Sequence, residues 1–452
     1  MRWLLNVIYV FAITVAFPLL LYRRLVHGKY REGWKEKLFG SVPLRRGNRT
    51  CVWLHAVSVG EVLQLKTILP SIRRKHPDVE FVISTTSSTG QAVARRTFPD
   101  EQTCYFPFDF SWAVQRAIRR IRPSAIVLVE LELWPNLIAE ADRAGVPLGL
   151  INGRISERSY RGYLRISRLM KRILPRIRFF AVQSDSYAQR LIHLGAPPER
   201  VSVTGSVKFD CVESDRRNPR TEELRKSFGI ADEETVFIAG STQAPEERYA
   251  VATWLALRDE FPGLRLILVP RHQERFDEVA DLVARHGLSL VRRSRLLNVT
   301  VASAKSQSAV VRKGTQPKLD DRSVLLLDTL GELCACWGLA DIAFVGGSLT
   351  NRGGQNMIEP AAYGSAVLFG PNTRNFQDVV DLLLAHGAAQ TVHNDAELTA
   401  AVRNLLEHRD IAAHQGATAQ RLVAEQQGAT ERTAAVICRL IDKDVTSVSF
   451  AA

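Results

Sequence analysis

Short apolar runs recur along the chain, each bounded by glycine, proline or polar residues. The first series is CVWLHAV (51–57), EFVIST (80–85), AIVLVE (125–130), PLGLIN (147–152), FFAVQS (179–184) and VSVTG (201–205). A second follows: TVFIAGS (235–241), RLILVP (265–270), VLLLDT (324–329), IAFVGGS (342–348) and AVLFGP (366–371). Apolar runs of this length without alternation are strands buried on both faces, and the helix-length segments between them indicate parallel sheets covered by helices. Two such series predict an α/β chain of two doubly wound domains facing a cleft. The polar stretch 211–224, CVESDRRNPRTEEL, reads as the connection between them. The stretch 293–322 is rich in Ser, Lys and Arg and reads as an exposed excursion of the second domain.

The opposite pattern opens the chain. From Trp3 to Tyr22 there is no charged residue, while Arg2 precedes and Arg23 and Arg24 follow. About twenty mostly apolar residues suffice for a helix to cross a bilayer core. No small-residue cleavage site follows, so the segment reads as a retained anchor that either spans the membrane or lies along it. The basic stretch after it favours the cytoplasmic side for the remaining chain. The expected boundaries are an anchor at 1–24, a first domain at 25–212, a linker at 213–224, a second domain at 225–410 and a helical segment at 411–452. A further basic element, Arg158, Arg161, Arg165, Arg168, Arg172 and Arg176, recurs at helical spacing beside Tyr163, Ile166, Met170 and Ile173. It reads as one helical stripe, either solvated or facing lipid phosphates, with Pro175 able to end it.

Composition changes this picture little. At 452 residues with 46% hydrophobic and 24% charged residues, the chain has the balance of a globular protein. A net charge of +13 suits phosphorylated lipid, an anionic membrane surface or nucleic acid. Nucleic acid is disfavoured, because the aromatics do not interleave with the basic stripe as stacking platforms. The six cysteines lack zinc-ligand spacing and read as buried thiols in a reducing compartment.

Ligands of open parallel sheets gather at the carboxyl ends of the strands, and unusual polar residues cluster there. Glu61 follows Gly60 at a helix start, where the positive helix end favours the ionised carboxylate and weakens it as a base. Glu130 and Glu132 have strand spacing, so in a regular strand both would face one side and need a nearby cation. Lys208, at the end of the first series, is the candidate. Arg271 suits a phosphate. The pairs Gly346-Gly347 and Gly353-Gly354 let backbone N–H groups approach an anion at the following helix. Asn356 and Glu359 stand one helical turn apart, and a carboxylate so placed accepts two hydroxyls, as a ribose diol presents. The array suits a nucleotide. No paired-aspartate motif ends a nucleotide-facing strand, so no metal is expected.

The segments HAVSVGEV, VELELWPNLI, GSVKFD, LVPRHQERF, DTLGEL, ADIAFVGGSL and RGGQNMIEPAA…VLFGPNTRNF, taken in order, resemble the 3-deoxy-manno-octulosonic acid (Kdo) transferases of lipopolysaccharide assembly. The resemblance implies two Rossmann-like domains of the glycosyltransferase-B type, CMP-Kdo as donor and a lipid A precursor as acceptor, with no cofactor. It implies Glu61 as general base, with Glu130 and Lys208 acting around the transition state. Pro270, Arg271, Gly331, Glu332, Leu333, Asn356, Met357, Ile358 and Glu359 would contact CMP. The chain departs from the pattern at Gln243-Ala244-Pro245, Trp337, Asn372 and Leu131. Two other readings stay open: a membrane-associated transferase using a uridine nucleotide sugar, and a non-catalytic, membrane-tethered binding protein.

Overall fold

The structure is a computed structural model that describes residues 32–297 and 323–442, together with scattered positions between residues 3 and 22. Half of the expected anchor, the basic residues directly after it and residues 298–322 of the expected excursion lie outside the described residues. Two units divide the chain: 1–211 with 426–452, and 212–425.

The first unit is built on a parallel sheet of β1 (Cys51–His55), β2 (Glu80–Thr85), β3 (Gln102–Tyr105), β4 (Ala125–Val129), β5 (Leu148–Gly153), β6 (Phe179–Val182) and β7 (Val201–Val203), ordered β3-β2-β1-β4-β5-β6-β7. Every residue of β1 and β4 is buried, as expected of strands covered on both faces. One apolar layer includes Trp53, Leu128 and Phe180, and the other Leu54, Val127 and Ile437. The strand order reverses between β1 and β4, the position at which such sheets bind ligands. Glu61 follows one of these strands and Glu130 the other.

The second unit carries β8 (Thr235–Thr242), β9 (Leu264–Pro270), β10 (Leu290–Arg292), β11 (Val324–Leu326), β12 (Ile342–Val345), β13 (Ala366–Phe369) and β14 (Ala389–Thr391), ordered β10-β11-β9-β8-β12-β13-β14. Its reversal falls between β8 and β12. Gly240 of β8 has to be glycine, since a Cβ there would lie 2.4 Å from the Trp337 ring.

Several expectations need correction. The connection between the units is shorter than 213–224, because Asn218 caps a helix that already begins at Pro219. A boundary at 410/411 would cut the helix Arg409–Glu425, which belongs to the second unit. The helix Ala429–Asp442 belongs instead to the first, where Asp210 accepts the Gly428 N–H at 2.7 Å. The arginine stripe is not one helix: Glu157–Leu164 and Ser167–Ile173 are separated at Ile166, and Pro175 sits in a 3-10 turn. The excursion does not start exposed, because Arg293 is buried on Glu332 and Glu223. Four of the cysteines are buried, whereas Cys211 is exposed.

Near the amino terminus, Asn6 is buried. It donates to Ser111 Oγ at 2.8 Å and accepts from Asn136 Nδ2 at 3.2 Å. Tyr9 donates to Asp109 Oδ2 at 3.0 Å. Trp3, Val7, Ile8, Val10, Phe11 and Val15 are exposed. Among the described residues, no helix is long and apolar enough to cross a membrane.

Candidate active site

In the first unit the helix Val59–Lys75 presents the central carboxylate. Ser58 caps it, and Glu61 closes a reciprocal capping box. Glu61 Oε2 accepts from Val57 N at 2.7 Å, while Oε1 accepts from Ser58 N at 3.2 Å and Ser58 Oγ at 2.7 Å. These bonds and the helix end favour the anion, as the sequence suggests, but burial outweighs them. The Glu61 carboxyl is raised above the ordinary range, first by desolvation and further by the negative charge of Glu130, against the lowering by Ser58 and Val57. The expected weakening as a base is therefore reversed.

Glu130 is not the last residue of a regular strand. β4 ends at Val129, and Glu130 adopts φ 60°, a left-handed conformation that a side chain other than glycine takes only at a cost. Its relation to Glu132 therefore does not follow strand alternation. The carboxylates influence one another all the same. Glu132 is raised to about 7 by burial, then by the charges of Glu61 and Glu130. Burial and neighbouring negative charge thus hold both Glu61 and Glu132 above the ordinary carboxylate range, beside Glu130.

Lys208 lies half-buried in the turn Val207–Cys211 after β7. Buried amides join this turn to the carboxylates. Val207 N donates to Asn152 Oδ1 at 3.4 Å, Asn152 Nδ2 to Gln64 Oε1 at 2.7 Å, and Gln64 Nε2 to Glu130 Oε1 at 3.4 Å. Sequence reading missed Gln64 and Asn152, although Gln64 stands one helical turn after Glu61. His55 is a core residue: stacked on Phe106 with centroids 3.7 Å apart, it is pushed down to about 3 by burial and stays neutral.

In the second unit, Asn356 Nδ2 donates to Glu359 Oε1 at 2.9 Å, and Asn356 Oδ1 accepts from Ile358 N at 3.1 Å. The Glu359 carboxyl is raised by burial, against the lowering by Asn356, Arg271 and Trp337. Arg271, exposed just past Pro270 at the end of β9, and the Asn356–Glu359 segment are therefore close enough to interact. Met357 and Ile358, between Asn356 and Glu359 in sequence, are buried. Gly331, at φ 87°, and Leu333 flank Glu332 at the start of a short helix. The Glu332 side chain is engaged by Arg293 Nη2 at 2.9 Å and by the Thr329 hydroxyl.

One reading of the glycine pairs is overturned. The N–H groups of Gly347, Ser348 and Leu349 donate to the buried Glu246 carboxylate at 2.7–3.0 Å, and Gly354 N donates to Gly347 O at 2.8 Å. The protein supplies its own anion there, so these amides do not await a phosphate. An acid in the first turn of a helix is too common a pattern for Glu246 to have been singled out. Among the described residues, no cluster of His, Cys, Asp or Glu could hold a metal ion.

The family model for 3-deoxy-D-manno-octulosonic-acid transferase matches residues 32–211. The chain is 30% identical over 406 residues to the 3-deoxy-D-manno-octulosonic acid transferase of Haemophilus influenzae, covering 88% of this chain and 90% of that protein. The chain belongs to the Kdo transferase family. The corresponding transferase of Bordetella pertussis is 33% identical over 349 residues, 75% of each chain. A glycosyltransferase from Rickettsia africae, at TM-score 0.53, 12% identity and coverage of 88% of this chain and 100% of that one, shares the fold. So does UDP-GlcNAc 2-epimerase from Neisseria meningitidis, at TM-score 0.54, 10% identity and coverage of 87% and 100%. Kdo transferases thus have here a member with two parallel Rossmann-like sheets of the glycosyltransferase-B kind.

Proposed function

We propose that this Kdo transferase moves Kdo from CMP-Kdo to a glucosamine hydroxyl of a lipid A precursor, with inversion and without a metal. The observation that carries the reading is the trio Glu61, Glu130 and Glu132 at the strand-order reversal, with Glu61 raised by burial. Glu61 takes the proton of the acceptor hydroxyl as its oxygen forms the new bond to the anomeric carbon. The bond from that carbon to the CMP phosphate breaks, and its electron pair leaves with CMP. The phosphate is already a stable anion and needs little protonation. The oxocarbenium-like centre that develops is steadied by a carboxylate such as Glu130. In the first unit Lys208 offsets the negative charge of the carboxylates, and in the second Arg271 meets the CMP phosphate while Glu359 with Asn356 receives the nucleoside.

The exposed apolar residues Trp3, Val7, Phe11 and Val15, followed in sequence by Arg23 and Arg24, support attachment to an anionic bilayer at the cytoplasmic face of the inner membrane. Glu61→Gln tests the mechanism. It retains an acceptor oxygen for the capping box and removes the base, so transfer should fall by a factor of about a thousand or more while calorimetry finds CMP binding unchanged. Turnover at the wild-type rate refutes the assignment. Tighter binding of UMP or UDP than of CMP would turn the reading to a uridine nucleotide sugar.

A further inference from the structure

Glu61 and Gln64 lie one turn apart on the same helix, and both are buried. Gln64 is wedged between Glu130 and Asn152. Asn152 is wholly buried at the end of β5 and, like Glu130, takes a left-handed backbone, at φ 50°. Gln183 Nε2 donates to its carbonyl at 2.9 Å, and Glu130 N donates to the neighbouring Ile151 carbonyl at 2.9 Å. Two unusual backbone conformations, at the ends of adjacent strands, are therefore tied to one pair of amides.

The direction of the hydrogen bonds is not arbitrary. A primary amide can turn over and exchange its donor and acceptor ends. Here one end of the chain is the Val207 backbone N–H, which can only donate. Asn152 must turn its oxygen to Val207, its NH2 group to the Gln64 oxygen, and Gln64 must turn its own NH2 group to Glu130. The polarity set at Val207, the residue before Lys208, is thus transmitted to Glu130.

We infer that Gln64 and Asn152 are positioning residues that orient Glu130 as a hydrogen-bond acceptor and couple its carboxylate to the turn carrying Lys208. The inference rests on the Kdo-transfer reading, for which Glu130 acts around the transition state. Gln64 donates where a fourth acid or an inverted amide would repel. Glu132, raised to about 7 by burial and by the charges of Glu61 and Glu130, is suited to hold a proton near neutrality.

Transfer kinetics of Gln64→Leu, Gln64→Glu, Asn152→Asp and the double variant Gln64→Leu/Asn152→Asp test this. Asp tolerates the left-handed backbone. Its carboxylate offers no N–H to Gln64, so the Gln64 amide turns over and aims its oxygen at Glu130. Both Gln64→Leu and Asn152→Asp should lower kcat about tenfold or more with the donor KM within about twofold. The double variant should be no slower than the slower single one, because the two act through one chain. Gln64→Glu adds a distinctive readout. It should be poor at about pH 8 and recover toward about pH 6, where the introduced carboxyl carries a proton and donates again. Calorimetric CMP binding and melting identify variants that fail to fold. Should Gln64→Leu be one, Gln64→Glu and Asn152→Asp carry the test. Wild-type kcat in a folded Asn152→Asp protein overturns the inference, as do losses that multiply in the double variant or a Gln64→Glu pH profile parallel to wild type. Absence of transfer by the wild-type protein defeats the Kdo-transfer reading instead, so the two failures are distinct.

Discussion

Replacing Glu132 by Gln probes the carboxylate trio without reference to any substrate. The Glu132 carboxyl moves from 4.5 in the unfolded chain to about 7 in the fold, first through burial and then through Glu61 and Glu130. That displacement corresponds to about 3 kcal/mol between the two protonation states. The group is only partly buried, so solvent screening reduces the figure to roughly 1–2 kcal/mol. The folded state holds its proton more tightly than the unfolded state. The contribution is fully present below 4.5 and is lost as pH rises through about 7. Gln carries no titrating proton, so the variant should gain on the wild type as pH rises. Between about pH 5 and 8 the difference in melting temperature of the first unit should shift by about 3–6 °C in favour of Glu132→Gln. Asp109, also raised to about 7 mainly by burial, titrates over the same window in both proteins and cancels in the difference. Parallel pH–melting curves would show that the three acids do not share a site.

Further outcomes follow from other contacts. Glu246→Ala strands the N–H groups of Gly347, Ser348 and Leu349 and should cost about 3 kcal/mol or more, read as a fall of the second unit's melting temperature. Arg271→Ala should weaken CMP binding by calorimetry about tenfold without changing melting, since the side chain is exposed. Gly240→Ala drives a methyl group into Trp337 and should lower melting and CMP affinity together, the latter because the Trp337 side chain bonds to Glu359. Trp3→Ser/Phe11→Ser should lower sedimentation with anionic vesicles about tenfold while leaving soluble turnover intact; both side chains are exposed.

The buried strands were legible because long apolar runs have few alternatives, as CVWLHAV and TVFIAGS illustrate. The edges were not. Gln102–Tyr105, Leu290–Arg292 and Ala389–Thr391 are short strands with partly exposed or polar residues, too brief for periodicity to register. In the candidate site, local sequence marked Glu61, Glu130 and the Asn356–Glu359 pair. It could not reveal that Glu130 leaves the strand in a left-handed conformation, since the feature depends on its partners in β5 and on Gln64. The helix end beside Glu61 was visible in SVGEV, but the opposing burial was not, because desolvation is a property of the packed unit. Glu246 was missed for the same reason, its partners lying about a hundred residues away.

In the proposed mechanism Glu61 of the first unit is the base, and one measurement addresses this most directly. Purified wild-type protein and Glu61→Gln, each incubated with CMP-Kdo and a lipid A precursor, are compared by mass spectrometry of the lipid and release of CMP. Kdo-bearing lipid with matching CMP should form with the wild type and be absent with the variant. Equal product from both proteins, or none from the wild type under conditions in which it binds CMP, contradicts the account.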